Sequence, residues 1–167
     1  MKPVKPLIWL ASLVVLLATI AANVGVFSGG GPGPRAFTTV MGETVTLYGQ
    51  GIYRNDWAGL AVQGKAQDMV TLMVGIPLLL VSIGLYRQGK VRGQVLLTGT
   101  MAYFLYTYTS MAFGSAYNPL FLLYVALFSL CLYTFIWLMV SIDLVALPGR
   151  FTNKLPRRTT AGFMFFA

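Results

Sequence analysis

Residues 93–142 read GQVLLTGTMAYFLYTYTSMAFGSAYNPLFLLYVALFSLCLYTFIWLMVSI, an uncharged stretch bounded by Arg92 and Asp143. A bilayer's hydrocarbon core of about 30 Å takes roughly 20 apolar residues of helix at 1.5 Å per residue, so the stretch has room for two spans. Between them lies the uncharged corner Gly114-Ser115-Ala116-Tyr117-Asn118-Pro119. Asn118 followed by Pro119 is a helix-start signal, with asparagine as N-cap and proline at the first helical position. The stretch therefore reads as a membrane hairpin.

The composition agrees. With 57% hydrophobic and 10% charged residues, there is too little polar surface to coat a soluble globule of 167 residues. The net charge of +8 does not point to nucleic acid, because lysine and arginine fall in the gaps between apolar runs, where they report topology. The chain has one cysteine, Cys131, so it forms no intramolecular disulfide and carries no CxxC redox pair. It has no histidine, which removes bis-histidine haem ligation, the usual zinc sites and imidazole acid–base catalysis. Glu43, Asp56, Asp68 and Asp143 are the only acidic residues. No P-loop, dinucleotide fingerprint or Ser/His/Asp set is present, so no catalytic residue, metal or cofactor is expected, and an enzyme stays open only as the third reading, with its acid–base pair supplied by further helices.

Working outward gives an all-α integral membrane protein, a four-helix transmembrane bundle with spans at about 7–27, 68–86, 94–113 and 119–144. Residues 1–147 form the single transmembrane domain. The first apolar run, after Lys2 and Lys5, is read as a retained span; a secretory signal peptide is the rival, with small residues at Ala18, Ala21 and Ala22. Residues 28–67 are extracytoplasmic. They open on the breaker cluster SGGGPGPR, read as a linker, and contain GETVTLYGQGIYRND, read as a small β-hairpin turning at Gly49-Gln50-Gly51 before Ile52 and Tyr53. Trp57, Leu60 and Val62 then fit an interfacial seat.

Span two carries Gly75 and Pro77, and a mid-depth proline predicts a kink. The loop RQGKVRG is short enough only for a turn between antiparallel neighbours. Residues 148–167 form a basic tail that ends in TTAGFMFFA, read as the start of a fifth helix in preference to an interfacial anchor.

Lysine and arginine number two at the amino terminus, three in the segment between spans one and two (offset there by Glu43 and Asp56), three in the Arg87 loop, none in the Gly114 corner and four in the tail. The positive-inside rule then places the amino terminus, the Arg87 loop and the tail in the cytoplasm of a multi-pass protein of the inner, or plasma, membrane.

Polar and small residues recur at helical spacing: Thr100, Tyr103, Thr107, Ser110 and Gly114 on span three with Tyr106 on the flank, Tyr117, Tyr124, Cys131 and Thr134 on span four, and Asp68, Thr71, Gly75 and Ser82 on span two. Two readings stay open. Such stripes form an ordinary bundle interior. They could also place Tyr103, Tyr106, Tyr108, Tyr117 and Tyr124 around a pocket open to the outer leaflet, with Asp68, Thr71 and Thr107 completing a site for an amphipathic ligand. Asp68, at the expected start of span two, is read either as a helix cap or as a cation or proton site with Thr71 and the tyrosine hydroxyls. Asp143 is expected to pair with Arg87 or Arg150, while Glu43 and Asp56 are expected to be solvated.

The block from Gly64 to Tyr133, with GKAQDMVTLMVGIPLL, LYRQGKVRGQVLLTG, YFLYTY and YNPLFLLYVALFSL, resembles a group of bacterial multi-pass membrane proteins without assigned activity. The resemblance implies a bundle of more helices and brings no catalytic residue or substrate. The expected function is that of an accessory or lipid-binding module whose partners are the bilayer, a lipid-like ligand or another membrane protein. The alternative is a transporter or channel subunit using Asp68 and the Gly75/Pro77 break.

Overall fold

The computed structural model describes residues 3–142, together with Thr159 and Gly162. The expected Asp143 pairing, the end of span four at 144, the basic tail and the fifth helix lie outside the described residues.

Helix α1 (Lys5–Phe27) buries Leu7, Ala11, Val14, Ala18, Ala21, Ala22 and Gly25, a four–three repeat of mostly small side chains. Small residues let a helix axis approach its neighbours closely, which is why α1 packs against two other rods of the bundle despite so little side-chain bulk. Helix α2 (Ala58–Val70) passes through a π-helical turn at Thr71–Gly75 into α3 (Ile76–Arg87), giving one rod, Ala58–Arg87. This is longer than the expected span by ten residues at its start. The Gly75/Pro77 irregularity takes the form of that π turn, in which the Ile76 N–H donates to the Thr71 carbonyl. A widened turn just before Pro77 accommodates a residue that has no N–H to offer.

Helix α4 (Val91–Gly114) packs between α3 and α5 (Phe121–Val140), and α5 returns to α1, closing a ring of four rods. The Val4 N–H donates to the Tyr86 hydroxyl at 3.2 Å, and the Gln94 amide donates to the Leu138 carbonyl at 3.4 Å. Both contacts join the start of one rod to the end of another, so neighbours run antiparallel. Three rods, α1, α2–α3 and α5, are long and apolar enough to cross a membrane. Rod α4 is long enough, but its threonines and tyrosines dilute its apolar character.

The hairpin exists with a different pairing from the expected one. Strand β1 (Arg35–Thr38) runs antiparallel to β2 (Thr44–Leu47), with Arg35 opposite Leu47 and Thr38 opposite Thr44. The turn is Thr39–Glu43, with Gly42 at φ +82°, a region that favours glycine. Residues after β2 do reverse, through a 3-10 turn at Gly51–Tyr53, but Ile52 and Tyr53 are not strand. Tyr48 and Gly49 instead donate to the carbonyls of Asp56 and Arg54. The breaker cluster is more than a linker: Gly33 donates to the Gly49 carbonyl, Gly51 donates to the Gly30 carbonyl, and Ser28 Oγ accepts the Ile52 N–H at 2.8 Å. A β-carbon on Gly49 would sit 1.7 Å from the Gly33 carbonyl oxygen, so this contact admits no side chain.

At the corner, α5 begins at Phe121, and Asn118 caps the preceding turn, its Oδ1 accepting the Leu120 N–H at 2.9 Å.

Candidate functional site

Extending α2 back to Ala58 moves Asp68 from a helix end to the interior of a rod, so the capping role is overturned: its neighbouring backbone N–H groups are already used by the helix. Asp68 is buried, and its Oδ2 accepts a hydrogen bond from the Tyr53 hydroxyl at 2.5 Å. Two glycines make the pair possible. A β-carbon on Gly25 of α1 would lie 1.6 Å from Asp68 Oδ2, and one on Gly64 would lie 3.1 Å from the Tyr53 ring. Burial, followed by the neighbouring Tyr124 and Asp68, raises the Tyr53 phenol well above its ordinary range, so it remains a donor.

A second cluster lies beside the first. The Gln67 amide nitrogen donates to the Tyr103 hydroxyl at 2.9 Å and to Thr107 Oγ1 at 3.0 Å, and the Tyr103 and Thr71 hydroxyls are 3.0 Å apart. The four residues clamp the start of the π turn onto the middle of α4. From Tyr103 an aromatic series runs inward: Phe104 edge-on at 5.4 Å, Tyr108 stacked on Phe104 at 6.2 Å, and Tyr124 of α5 stacked on Tyr108 at 6.3 Å. Among the described residues, the buried hydroxyls of Tyr108, Tyr124 and Thr134 have no hydrogen-bond partner.

Of the residues singled out from the sequence, Asp68, Thr71, Tyr103, Thr107 and Tyr124 face the interior, whereas Tyr106 and Tyr117 are 68% and 77% exposed. Tyr106 cannot join Tyr108 because residues two apart on a helix point to opposite sides. Tyr117 sits on the corner, where its ring tilts against Phe121. The five tyrosines therefore do not surround one pocket. Ser110 and Gly114, at the end of the α4 stripe, are exposed as well.

Tyr53 and Gln67 were missed. Gln67 had a readable signal, lying four residues before Thr71 on the same face of the rod. Tyr53 had none, since its partner is fifteen residues away across a turn. Asp56 is a correction: it is buried rather than solvated, and its Oδ1 accepts the Ala116 N–H at 2.6 Å, fastening the segment before α2 to the α4–α5 corner. Burial pushes its carboxyl above the ordinary value of 3.8, and the Ala116 N–H opposes that shift. Glu43 is exposed, as expected.

The open space adjoining these residues is a groove of about 530 Å³ between α2–α3 and α4. Its walls are apolar, among them Val74, Leu78, Val95 and Leu96, and along α4 its lining extends from Val91 and Arg92 to Tyr103. Gly99 lines it without a side chain, and a β-carbon there would meet nothing within 4 Å, whereas the space beside Gly75 is taken by the rings of Tyr103 and Phe104. Comparison of this chain with protein-family models, curated proteins and solved structures finds no match.

Proposed function

We propose that the chain is a multi-pass protein of the plasma (inner) membrane with its amino terminus in the cytoplasm. Within that membrane it acts as a non-enzymatic module that holds a lipid-like amphiphile. Membrane residence is supported by the side chains left on the outside of the rods: Trp9, Leu16, Met73, Leu122 and Tyr133 are among the large apolar residues that are more than half exposed. A soluble protein rarely exposes so broad an apolar surface. Rod α4 is compatible with lipid despite its polarity, because Thr98, Thr100, Thr109 and Ser110 each donate to a carbonyl four residues back in the same helix. The orientation is supported by Lys5, Arg87, Lys90 and Arg92 falling at one end of the bundle.

The observation that carries the ligand-binding reading is the groove between α2–α3 and α4. Its volume lies in the range of small-molecule sites, its walls are apolar, and the Gln67–Tyr103–Thr71 cluster fixes one end. Extraction of the protein in native lipid, followed by mass spectrometry of what remains bound, tests it. Retention of a lipid-like molecule that is lost when Gly99→Leu fills the groove is the expected result; a protein that retains nothing overturns the reading.

A transporter or channel subunit is the second reading, favoured by the buried Asp68 lying three residues before a π turn and near unpartnered tyrosine hydroxyls. It predicts ion- or pH-dependent flux in liposomes that Asp68→Asn abolishes, and unchanged flux in that variant excludes the carboxylate.

A further inference from the structure

The geometry points to an anionic phospholipid of the cytoplasmic leaflet as the occupant of the groove, with one acyl chain between α3 and α4 and the phosphate held by Lys90 and Arg92. This deepens the amphiphile-binding reading and rests on it.

Two features of the groove single out this occupant. The first is length. Arg92 and Tyr103 mark its two ends on α4 and are eleven residues apart, which is about 16 Å at 1.5 Å per residue. That is about half of a hydrocarbon core of roughly 30 Å, the depth of one leaflet. A groove whose lining on α4 runs from Arg92 to Tyr103 matches one chain of one leaflet in length, and Tyr103, the last of that lining, is held in place by Gln67 and Thr71.

The second is charge. Arg92 lines both the groove and an adjoining hollow at the turn before α4, to which Lys90 also contributes. Both cations are exposed, and among the described residues neither is in a salt bridge with an acidic side chain. The acidic side chains of the described residues, Glu43, Asp56 and Asp68, belong to the opposite half of the molecule, in the hairpin segment or beside it. Among the described residues the mouth of the groove therefore carries two cations and no acidic neighbour, which complements a phosphate diester carrying a net negative charge and disfavours a zwitterion that brings its own cation.

The test uses the full-length protein reconstituted in vesicles of phosphatidylcholine with a minor fraction of phosphatidylglycerol. The complex is released into mild detergent, and retained lipids are counted by native mass spectrometry. The wild type is expected to retain phosphatidylglycerol well above its share of the vesicle. At roughly 1 kcal/mol per basic residue, equivalent to about fivefold each, Lys90→Ala with Arg92→Ala should lower that preference about 25-fold while total retained lipid persists. Gly99→Leu, at a position where a β-carbon meets nothing within 4 Å, should remove retention of both lipids without disturbing the fold. Equal retention of the two lipids by the wild type, or a preference unmoved by the double substitution, overturns this inference and leaves the amphiphile reading standing. A wild type that retains no lipid overturns both.

Discussion

Replacing Gly25 with alanine tests whether the Asp68–Tyr53 pair organises the end of the bundle where α1 meets α2. The added methyl would lie 1.6 Å from Asp68 Oδ2, 2.5 Å from its Cγ and 3.1 Å from the Tyr53 hydroxyl. Asp68 has a short side chain anchored within a continuous rod, so relief requires either moving the carboxylate off Tyr53 or pushing α1 away. Overpacking of this kind costs about 1–3 kcal/mol, and a buried polar group left without its partner costs about 1–3 kcal/mol more. Alanine returns about 1 kcal/mol as the better helix former. The net expectation is a loss of about 3 kcal/mol, or a fall of roughly 6–12 °C in the thermal midpoint for a chain of this size. Circular dichroism melts in detergent or nanodiscs measure it. The decisive control is the same substitution in an Asp68→Ala background, where the carboxylate is gone and only the Tyr53 hydroxyl at 3.1 Å stays near the methyl, so most of the loss should vanish. Equal losses in the two backgrounds would refute the steric argument.

Four further substitutions follow from the geometry. The buried hydroxyls of Tyr108 and Tyr124 have no partner among the described residues, so Tyr108→Phe and Tyr124→Phe should be neutral or stabilising by up to about 1–3 kcal/mol in the same melts; a clear loss would mean that a bound molecule satisfies them. Because burial raises the folded-state pKa of Asp56, the folded chain binds that proton more tightly than the unfolded chain does. This contribution to stability is complete below the ordinary value of 3.8 and is lost as pH rises through the raised one, and Asp56→Asn should flatten that part of the stability–pH profile. A β-carbon on Gly93 would lie 2.4 Å from the backbone of Leu85 and Tyr86, and no rotamer relieves a clash with main chain, so Gly93→Ala should splay the α3–α4 turn and lower stability by at least about 2 kcal/mol; an unchanged melt would contradict it.

The parts of the fold that could be read from the sequence are those fixed by local pattern. The apolar runs gave α1, α3, α4 and α5 nearly to their ends, because hydropathy and the 3.6-residue period are properties of a short window. The same window hid the first ten residues of α2. There Gly59, Gln63, Gly64 and Lys65 look like loop, yet Ala61 and Gly64 are buried and the helix continues. The hairpin was misregistered for a related reason. Gly49-Gln50-Gly51 resembles a tight turn, while the actual turn, Thr39–Glu43, has only Gly42 to announce it. The site divides in the same way. Thr71, Tyr103 and Thr107 were visible as a stripe, but Tyr53 and Asp56 act through partners fifteen and sixty residues away, which no periodicity can reveal.

This division also separates the polar groups that carry information about function from those that do not. Ser12, Thr19, Ser82, Thr98, Thr100, Thr109, Ser110 and Ser129 all close on carbonyls of their own helix, which satisfies them in an apolar medium and commits them to nothing else. The bonds that join distant segments are unequal in length. Those to oxygen around Tyr53, Asp56, Gln67 and Ser28 run from 2.5 to 3.0 Å, while the two at the basic end, Val4–Tyr86 and Gln94–Leu138, are 3.2 and 3.4 Å. Shorter, better-made bonds hold the end capped by the hairpin segment, and the basic end relies on apolar packing beside an open groove. Stability and ligand preference should therefore respond to different residues. Substitutions at Gly25, Tyr53 or Asp68 should shift the melt and leave lipid selectivity unchanged, and substitutions at Lys90 and Arg92 should do the reverse. If both sets moved both quantities together, the two ends would be energetically coupled, and the groove could not be treated as a site independent of the Asp68 cluster.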